Sequence, residues 1–358
     1  MRALVVREWT SFENLKIEDD WPPPELGPGM VKVRTQAVGM NFALSLRVKG
    51  RYQIKPPLPH VPGVELCGVV VEAGAGVSKV AVGDRVVAFV DHGAFAEECV
   101  APEHRTFRLP DEIPFFKAVT FPASWMTTYI ALLWPQWGHL QFGETMLVHG
   151  AAGGVGIAAL DIGKIVGATV IATCGSEEKA AVCRAHGADV VVNYREEDFV
   201  ARVREITGGQ GANLVYDPVG GDVFLRSLRC LAPEGRIIPI GFAGGDVPHI
   251  PANILLMKNA KVLALNAGYY NGQWGVDATR HKDMGKVYEP QMRHVMNQLF
   301  RWTVEGRMRP EISHVFGFDQ VHEAMATVLG RDSIGRVAVV FDEEARRLPA
   351  QVGGRVHL

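Results

Sequence analysis

The sequence predicts an α/β protein in which a doubly wound parallel sheet is inserted into a β-rich domain. Two observations predict this fold. Strands and helices alternate between residues 124 and 267, which is typical of a parallel sheet covered by helices. Short period-two runs bounded by turn residues fill the chain before residue 124. The predicted domains are 1–123 together with 268–358, and 124–267.

The β-rich part is recognised by its short alternating runs. The segment 31–35 alternates apolar and polar residues, and 67–73 and 85–90 are rich in valine. Glycines at 74–76 and 83 mark the turns between them.

The second part repeats a strand followed by a helix. Helices are expected between the strands, for example at 179–186 and 223–231, and a long helix is expected near 286–306. A last strand at 337–341 closes the fold. The predicted strands of the parallel sheet are 145–149, 168–173, 189–192, 213–217, 236–240 and 261–266.

A glycine-rich turn follows the first strand of this sheet and opens a helix. The dinucleotide-binding pattern G-x-G-x-x-G has alanine in its first place here and reads Ala151, Gly153, Gly156. Gly153 lets a pyrophosphate approach the backbone, and Gly156 lets the helix pack closely on the strand. We therefore predict dinucleotide binding at the helix N-terminus, through Ala152, Gly153, Gly154 and Val155.

The end of the second strand predicts which dinucleotide binds. An NAD site places an acidic residue at this strand tip, where the chain reads Thr173-Cys174-Gly175-Ser176. Ser176 and Lys179 offer a hydroxyl and a positive charge to a 2′-phosphate, which predicts NADPH. Ser176 is also suited to cap the next helix. Glu177 and Glu178 are the counter-argument, since either carboxylate can reach a ribose.

Composition limits the classes of partner. The net charge of −2 provides no general attraction to nucleic acid or to an anionic membrane. Five scattered cysteines without a C-x-x-C pair indicate neither a disulfide framework nor a zinc knuckle. The amino terminus lacks a signal-peptide pattern, and the apolar region 145–172 is interrupted by charges and glycines. We expect a cytoplasmic protein with a small-molecule substrate, no nucleic acid and no membrane partner.

A set of short motifs runs through most of the chain. The motifs are Asn41-Phe-Ala, Arg51-Tyr52, Pro59-x-x-Pro62-Gly63-x-Glu65-x-x-Gly68, Gly83-Asp-Arg-Val86, Gly143 to Gly156 with Lys164, Asn193-Tyr194, Asp217-x-Val219-Gly220-Gly221, Gly235-Arg236 and Gly241-Phe242. Together they resemble the quinone oxidoreductase (zeta-crystallin-like) branch of the medium-chain dehydrogenases, and the resemblance spans roughly residues 1–341. Three departures are Asp161 in place of the usual glutamine, Ala43-Leu44 in place of Ala-Asp, and a longer aromatic segment at 268–290.

The resemblance implies a GroES-like catalytic domain carrying an inserted Rossmann domain. It implies that Asn41 and Tyr52 face the nicotinamide and the substrate, and that Thr127 and Thr128 approach the cofactor. The alternative for Asn41 is a turn residue that bonds its own backbone, and the alternative for Tyr52 is a wall of the cleft without a hydrogen bond to substrate. It also implies that Tyr194 and Arg336 assist Ser176 and Lys179 at the 2′-phosphate.

Further cofactor contacts are expected where strands of the parallel sheet end. Ligands of such sheets lie beyond the carboxyl ends of the strands. This places Gly241, Phe242 and Ala243 beside the nicotinamide, with Leu265 at the end of the next strand. The aromatic segment at 268–290 follows and is our candidate for substrate selectivity, although surface packing explains it equally well.

No metal is predicted. Zinc-dependent relatives carry Gly-His-Glu where this chain has Gly63-Val64-Glu65, and a cysteine where it has Gly39-Met40. His60, His92 and His104 lack ligand spacing. Without a Lewis acid, hydride delivery to an electron-poor acceptor is favoured over alcohol oxidation.

The sequence thus predicts an NADPH-dependent, zinc-free reductase of quinones or activated alkenes. An enoyl-thioester reductase is the closest alternative, because Arg47, Lys49, Arg51 and Lys55 leave room for an anionic carrier arm. An NADPH-binding protein without turnover, with a structural or RNA-binding role, is the alternative of another class. The apolar edge strand at 261–266 predicts a homodimer.

Overall fold

The computed structural model describes residues 1–272, 284–331, 333–342 and 345. They divide into two units. The first contains Met1–Ala123, Gly268–Val304 and the described chain from Ile312 onward, and the second contains Ser124–Ala267 and Glu305–Glu311.

The strands are, in chain order, β1 (Ala3–Val5), β2 (Lys16–Glu18), β3 (Met30–Met40), β4 (Glu65–Ala73), β5 (Arg85–Phe89), β6 (Glu98–Pro102), β7 (Thr106–Arg108), β8 (Thr145–Val148), β9 (Thr169–Cys174), β10 (Val190–Asn193), β11 (Ala212–Asp217), β12 (Leu231–Pro239), β13 (Lys261–Val262), β14 (Ile312–Gly317) and β15 (Arg336–Val340).

The α-helices are α1 (Phe42–Val48), α2 (Phe115–Ala118), α3 (Met126–Leu133), α4 (Gly154–Val166), α5 (Glu177–Ala185), α6 (Phe199–Ile206), α7 (Gly221–Cys230), α8 (Ala252–Lys258), α9 (Met284–Val287), α10 (Glu289–Val304) and α11 (Val321–Gly330). Short 3-10 turns lie at Phe12–Asn14, Glu103–Arg105, Ala267–Tyr269 and Phe318–Gln320, and Phe121–Trp125 forms a π-helical turn.

The second unit is a parallel sheet with the strand order β10-β9-β8-β11-β12-β13. All of its neighbouring strands run in the same direction. The order reverses between β8 and β11, which is the switch point at which doubly wound sheets bind ligands. Buried Leu147, Ile171, Val215 and Ile237 of four successive strands form its core with Phe224 of α7.

The first unit is a β-rich layer with the strand order β14-β15-β3-β4-β5-β7, in which β6 also pairs with β3. Strand β3 is central because it pairs with β15, β4 and β6, all antiparallel. Its first residues alternate between buried and partly exposed, as the sequence pattern predicts, and its last residues are buried throughout. Together the two units confirm the predicted fold class of a parallel sheet inserted into a β-rich domain.

The predicted edge strand at 261–266 is shorter in the structure. Only Lys261 and Val262 pair with β12, and the Leu263 N–H still reaches the Ile237 carbonyl at 3.0 Å. The next residue of β12 that faces this edge is Pro239, which has no N–H to extend the ladder.

The chain after residue 267 also differs from the sequence expectation. The long helix expected near 286–306 is two helices, α9 and α10, and residues 305–311 lie with the second unit. Of the aromatic segment 268–290, residues 273–283 lie outside the described residues. Tyr269 and Tyr270 pack against Tyr288, with ring centroids 6.0 and 4.9 Å away.

A buried charged network joins the 305–311 segment to helix α4. One oxygen of Asp161 accepts a hydrogen bond from His186 Nδ1 at 2.8 Å, and the other accepts one from the Arg309 backbone N–H at 2.9 Å. Glu311 lies 3.8 Å from His186 Nε2. Burial by itself lowers the pKa of His186, but the bonds with Asp161 and Glu311 outweigh it and raise this pKa to about 9. Asp161, a departure from the family pattern, thus keeps His186 charged.

We predict that this network makes stability depend on pH between about 6.5 and 9. A folded pKa above the ordinary 6.5 means that the stabilisation is complete below pH 6.5 and is lost as the pH rises through 9. The rise from 6.5 to about 9 corresponds to about 3 kcal/mol. Asp161→Asn should lower the melting temperature at pH 6.5 and flatten its decline toward pH 9.

The control is Asp189→Asn, which removes a carboxylate that pairs with Lys164 and touches no histidine. It should keep the wild-type pH profile. A profile in Asp161→Asn that parallels the wild type would contradict the assignment.

Candidate cofactor site and substrate-side residues

The glycine-rich turn brings helix α4 against the end of β8. The Gly153 N–H donates to the Gly150 carbonyl at 2.9 Å. The Ala151 N–H donates to the backbone carbonyl of Thr173, near the end of β9, at 3.1 Å. A Cβ on Gly156 would lie 2.5 Å from the carbonyl oxygens of both Gly150 and Ala151. Only glycine fits at that position, which is the close packing that the sequence pattern predicts.

The first turn of α4 presents backbone donors. Gly153 is the N-cap residue and supplies no side chain, so no capping group takes these donors. The N–H groups of Gly154, Val155 and Gly156 precede the first intrahelical bond, which Ile157 donates to Gly153 at 2.9 Å. Ala152 is buried, and Gly153, Gly154 and Val155 are half-buried. This arrangement suits an anion such as a pyrophosphate.

His149 directly precedes the glycine-rich turn and forms buried hydrogen bonds with both of its ring nitrogens. The sequence analysis did not identify it. The Ser227 hydroxyl donates to the Val223 carbonyl, so His149 Nε2 donates to Ser227 at 2.8 Å and Nδ1 accepts from Thr173 at 3.0 Å. Burial lowers the pKa of His149 to about 3, so the ring is neutral. It ties the ends of β8 and β9 to α7. A polar residue directly after a buried strand was the available signal.

Thr127 and Thr128 lie in α3 with different surroundings. Thr128 is fully buried, and its hydroxyl bonds with the Ser124 carbonyl and the Tyr216 hydroxyl, each at 2.8 Å. Thr127 is half-buried. Thr128 therefore packs α3 onto β11, and Thr127 is the one with a partly accessible side chain.

Ser176, Lys179 and Tyr194 gather at the ends of β9 and β10. Ser176 caps α5 by accepting a hydrogen bond from the Lys179 N–H at 3.3 Å. Tyr194 follows β10 and lies over Gly175, where a Cβ would come within 2.5 Å of the tyrosine oxygen. The Tyr194 side chain is 53% exposed. A hydroxyl, a cation and an exposed phenol thus surround one helix N-terminus.

The two acidic residues of this turn are exposed, and one of them is paired elsewhere. Glu177 forms an ion pair with Arg184, about two turns along α5, at 2.6 Å. The hydrogen bond with Arg184 lowers the pKa of Glu177. Its carboxylate is therefore drawn along the helix, which weakens the argument for a ribose contact.

A second loop lies beyond the carboxyl end of β12. The backbone N–H groups of Ala243 and Gly244 donate to the carbonyls of Pro218 and Val219 at 3.0 and 2.9 Å. Buried Asp217 organises that neighbouring turn, since its carboxylate accepts from Val219 and Gly220. This fixes Gly241, Phe242 and Ala243 at the carboxyl edge of the sheet, where the Phe242 ring is 40% exposed. Leu265 is half-buried and lies beyond the short β13.

In the first unit, Asn41 is joined to a buried ion pair. Its Oδ1 accepts from the Leu44 N–H at 2.9 Å and caps α1, while its Nδ2 donates to Glu65 Oε1 at 3.2 Å. Glu65 also pairs with Arg336 and accepts from the Ala123 N–H at 3.0 Å. A Cβ on Gly39 would lie 2.7 Å from Glu65 Oε1, so glycine is required there.

The structure gives Arg336 a different role from the expected 2′-phosphate contact. Its side chain is 6% exposed and is paired with Glu65, which is 2% exposed, in the first unit. Breaking a buried pair of this kind costs about 3–5 kcal/mol. The guanidinium is therefore committed to Glu65, and we leave Arg336 out of the phosphate site.

Tyr52 follows α1 in the chain, and its ring contacts the guanidinium of Arg47. The Arg47 guanidinium stacks on its ring at 4.1 Å from the centroid. Burial lowers the pKa of Arg47, and its contact with Tyr52 partly opposes this. Tyr52 is half-buried, so its ring is oriented by Arg47 while part of its surface stays accessible.

In the described part of the first unit, His60, His92 and His104 form no ligand-like group. His60 and His92 contact each other edge to face at 5.9 Å, and burial lowers the pKa of both, that of His60 to about 4. Burial likewise lowers the pKa of His104 to about 4. Within the described residues, no group of three or more His, Cys, Asp or Glu side chains is arranged to hold a metal ion. Val64 is buried.

Two family descriptions match different parts of the chain. Residues 27–111 match the alcohol dehydrogenase GroES-like domain, and residues 154–278 match the family described as zinc-binding dehydrogenase. A quinone oxidoreductase-like protein 2 homolog of Nematostella vectensis is 38% identical over 91% of this chain and 85% of its own length.

Solved structures of two reductases are similar to this chain over nearly its whole length. Escherichia coli quinone oxidoreductase complexed with NADPH has a TM-score of 0.84 and 28% identity, covering 95% of this chain and 100% of that one. A 2-haloacrylate reductase has a TM-score of 0.77 and 28% identity, covering 95% and 99%.

The chain belongs to the quinone oxidoreductase family of the medium-chain dehydrogenases. This confirms the family predicted from its motifs and places the chain among the oxidoreductases. Among the helices that the structure describes, none is both long and apolar enough to cross a bilayer.

We predict that alanine at two glycines of the turn destabilises the protein to different degrees. Gly156→Ala forces a Cβ against two backbone oxygens and should lower the free energy of unfolding by about 3 kcal/mol or more. Gly153→Ala meets only the Gly150 carbonyl at 3.3 Å and should cost about 1 kcal/mol. It should nevertheless weaken dinucleotide binding, because its methyl group stands where the pyrophosphate is expected. Denaturant unfolding and fluorescence titration measure the two effects. Equal destabilisation by both substitutions would contradict this account.

Proposed function

We propose that this protein is an NADPH-dependent reductase that delivers hydride to a quinone or to an activated alkene, without a metal ion. The observation that carries the proposal is the group at the end of β9: a serine cap, a lysine and an exposed tyrosine, with the neighbouring Glu177 paired to Arg184. An oxidoreductase of this family with such a strand end is suited to a 2′-phosphate.

The residues present fit a dinucleotide. We propose that Ala152, Gly153, Gly154 and Val155 bind its pyrophosphate, and that Ser176, Lys179 and Tyr194 bind its 2′-phosphate. Gly241, Phe242, Ala243 and Leu265 flank its nicotinamide in this proposal, and Thr127 approaches it. The related E. coli enzyme was solved with NADPH, which supports this choice of cofactor. When bound, the nicotinamide supplies the hydride.

Zinc independence rests on the residues where zinc-dependent relatives carry ligands. Val64 has no donor atom, and Gly39 has no side chain. The carboxylate next to Val64 belongs to Glu65, which is engaged by Arg336, Asn41 and the Ala123 N–H. We propose that this cluster holds Asn41 in place by charge and hydrogen bonds.

The first unit supplies the substrate side in this proposal. Asn41 caps α1 through its oxygen and donates one amide hydrogen to Glu65, so these two bonds fix its side chain and leave the second amide hydrogen to bond the cofactor or the substrate in this proposal. Tyr52 has a phenol held near Arg47 and is our candidate to donate a hydrogen bond to a substrate oxygen. Such a bond stabilises the negative charge that develops on oxygen when hydride reaches the conjugated carbon. Solvent then provides the proton.

The proposal is tested by cofactor choice. Lys179→Gln removes a charge from the 2′-phosphate site and should raise the Kd for NADPH about tenfold or more, leaving the Kd for NADH unchanged. Glu178→Gln is the control in the same helical turn and should not weaken NADPH binding. An equal loss for both cofactors in Lys179→Gln would contradict the assignment.

Turnover distinguishes the enzyme from a binding protein. The wild type should oxidise NADPH, followed by its absorbance, with at least one member of a panel of quinones and enones. Tight NADPH binding without oxidation by any acceptor would instead support a non-catalytic role.

We further propose a homodimer formed through the edge of the parallel sheet. Helix α8 exposes Leu256 and Met257, at 77% and 82%, directly before the edge strand β13. A second copy can bury both side chains while the two equivalent edges meet around a two-fold axis. The shortness of β13 limits backbone pairing, so apolar packing is the main contribution.

Light scattering after gel filtration tests the dimer. The wild type should have twice the chain mass of 39.1 kDa, and Leu256→Asp should shift it to the monomer. Val82→Asp is the control, since Val82 is 63% exposed in the first unit. A monomeric wild type, or a dimeric Leu256→Asp, would contradict the proposed interface.

A further inference from the structure

A groove in the first unit has no part in the function proposed so far. Its volume is about 390 Å³, and it is lined by Trp9, Thr10, Ser11, Lys49 and Arg51. No acidic residue is among these five.

The local fold builds the groove. The Thr10 N–H donates to the Val48 carbonyl at 3.1 Å, which fastens the loop after β1 to the end of α1. Gly50 has a φ of +64°, and a Cβ there would lie 3.0 Å from the Trp9 ring. The Trp9 indole therefore packs over Gly50. Lys49 and Arg51 are the residues directly before and after this glycine in the chain.

The polar groups of the groove are available for a ligand. Neither Lys49 nor Arg51 forms a side-chain hydrogen bond or ion pair within the described residues. Ser11 occupies the N-cap position of a 3-10 turn without a capping bond from its side chain. The Thr10 oxygen accepts from Asn14 at 2.9 Å and keeps its hydrogen to donate. Two cations and two hydroxyl donors together match the oxygens of a phosphate group.

The groove and the substrate-side tyrosine belong to the same stretch of chain after α1. Arg51 immediately precedes Tyr52, whose ring lies under Arg47. A hydrophobic quinone tail would require an apolar channel, and this lining is polar and positively charged. A substrate that combines an activated alkene with a distant phosphate fits it better.

We propose that Lys49, Arg51, Ser11 and Thr10 bind the phosphate of a pantetheine carrier arm, so that the acceptor is an enoyl thioester. This rests on the proposed reductase function and names the substrate class within it. The groove binds the arm, and the reacting alkene lies toward Tyr52.

Three thioesters of one unsaturated acid test the proposal, carried on pantetheine, on 4′-phosphopantetheine and on coenzyme A. The wild type should show a kcat/KM at least tenfold higher with the phosphorylated carriers than with pantetheine, mostly through KM. Equal kcat/KM values for the phosphopantetheine and coenzyme A thioesters indicate that the groove binds a single phosphate. A higher kcat/KM with coenzyme A indicates that the protein also binds the nucleotide phosphates. Both results support the groove.

The double variant Lys49→Gln, Arg51→Gln should reduce the preference to about threefold or less, with turnover of a simple quinone or enone unchanged. Lys55→Gln is the control, because it removes a nearby exposed cation outside the lining. A wild type without preference for phosphate, or a double variant that retains it, would overturn the proposal.

Failure of the reductase function gives a different result. In that case no acceptor, quinone and enone included, oxidises NADPH. Calorimetric titration with coenzyme A alone then still tests the groove: a Kd weakened at least tenfold in the double variant supports it, and no binding to the wild type overturns it.

Discussion

The close approach of helix α4 to the end of β8 is the constraint on which the parallel unit depends. The two backbone segments meet so closely at Gly156 that no side chain fits between them. That contact turns the first N–H groups of α4 toward the carboxyl edge of the sheet, where strands β8, β9, β11 and β12 all end. The neutral His149, which directly follows β8, bonds Thr173 of β9 and Ser227 of α7 and so joins the ends of both strands to that helix. Backbone geometry alone therefore makes this end of α4 suited to an anion.

The first unit depends on a different feature, the buried carboxylate of Glu65, which is paired and hydrogen-bonded. Glu65 binds Arg336, the amide of Asn41 and a backbone N–H, so that three segments of the chain share one carboxylate. Removing one partner of such a group leaves an unpaired charge in the interior. The residues at which other branches of the wider family bind zinc are here occupied by Gly39 and Val64, next to this cluster. The bonds of Asn41 with Glu65 and with the Leu44 N–H hold the start of α1 in place beside these two residues.

Local patterns in the sequence predicted the parallel sheet, its glycine turn and the serine cap of α5, because each depends on residues close together in the chain. Contacts made across long separations were not predictable in this way. Arg336 reads as a basic residue at a strand start, and only the fold shows that Glu65 neutralises it. The edge strand was predicted too long because the interruption comes from Pro239 on the neighbouring strand. The network of Asp161, His186 and Glu311 likewise joins residues that the chain separates widely, although the unusual aspartate marked the place.

The most direct test of the account follows the hydride itself. NADPH carrying deuterium at the transferable position of C4 is incubated with the protein and an α,β-unsaturated ketone or thioester, and the product is analysed by mass spectrometry and NMR. The account predicts one deuterium at the β-carbon of the saturated product and a solvent-derived hydrogen at the α-carbon. A product without deuterium at the β-carbon, or NADPH that is bound and never consumed by an alkene or a quinone, would contradict it.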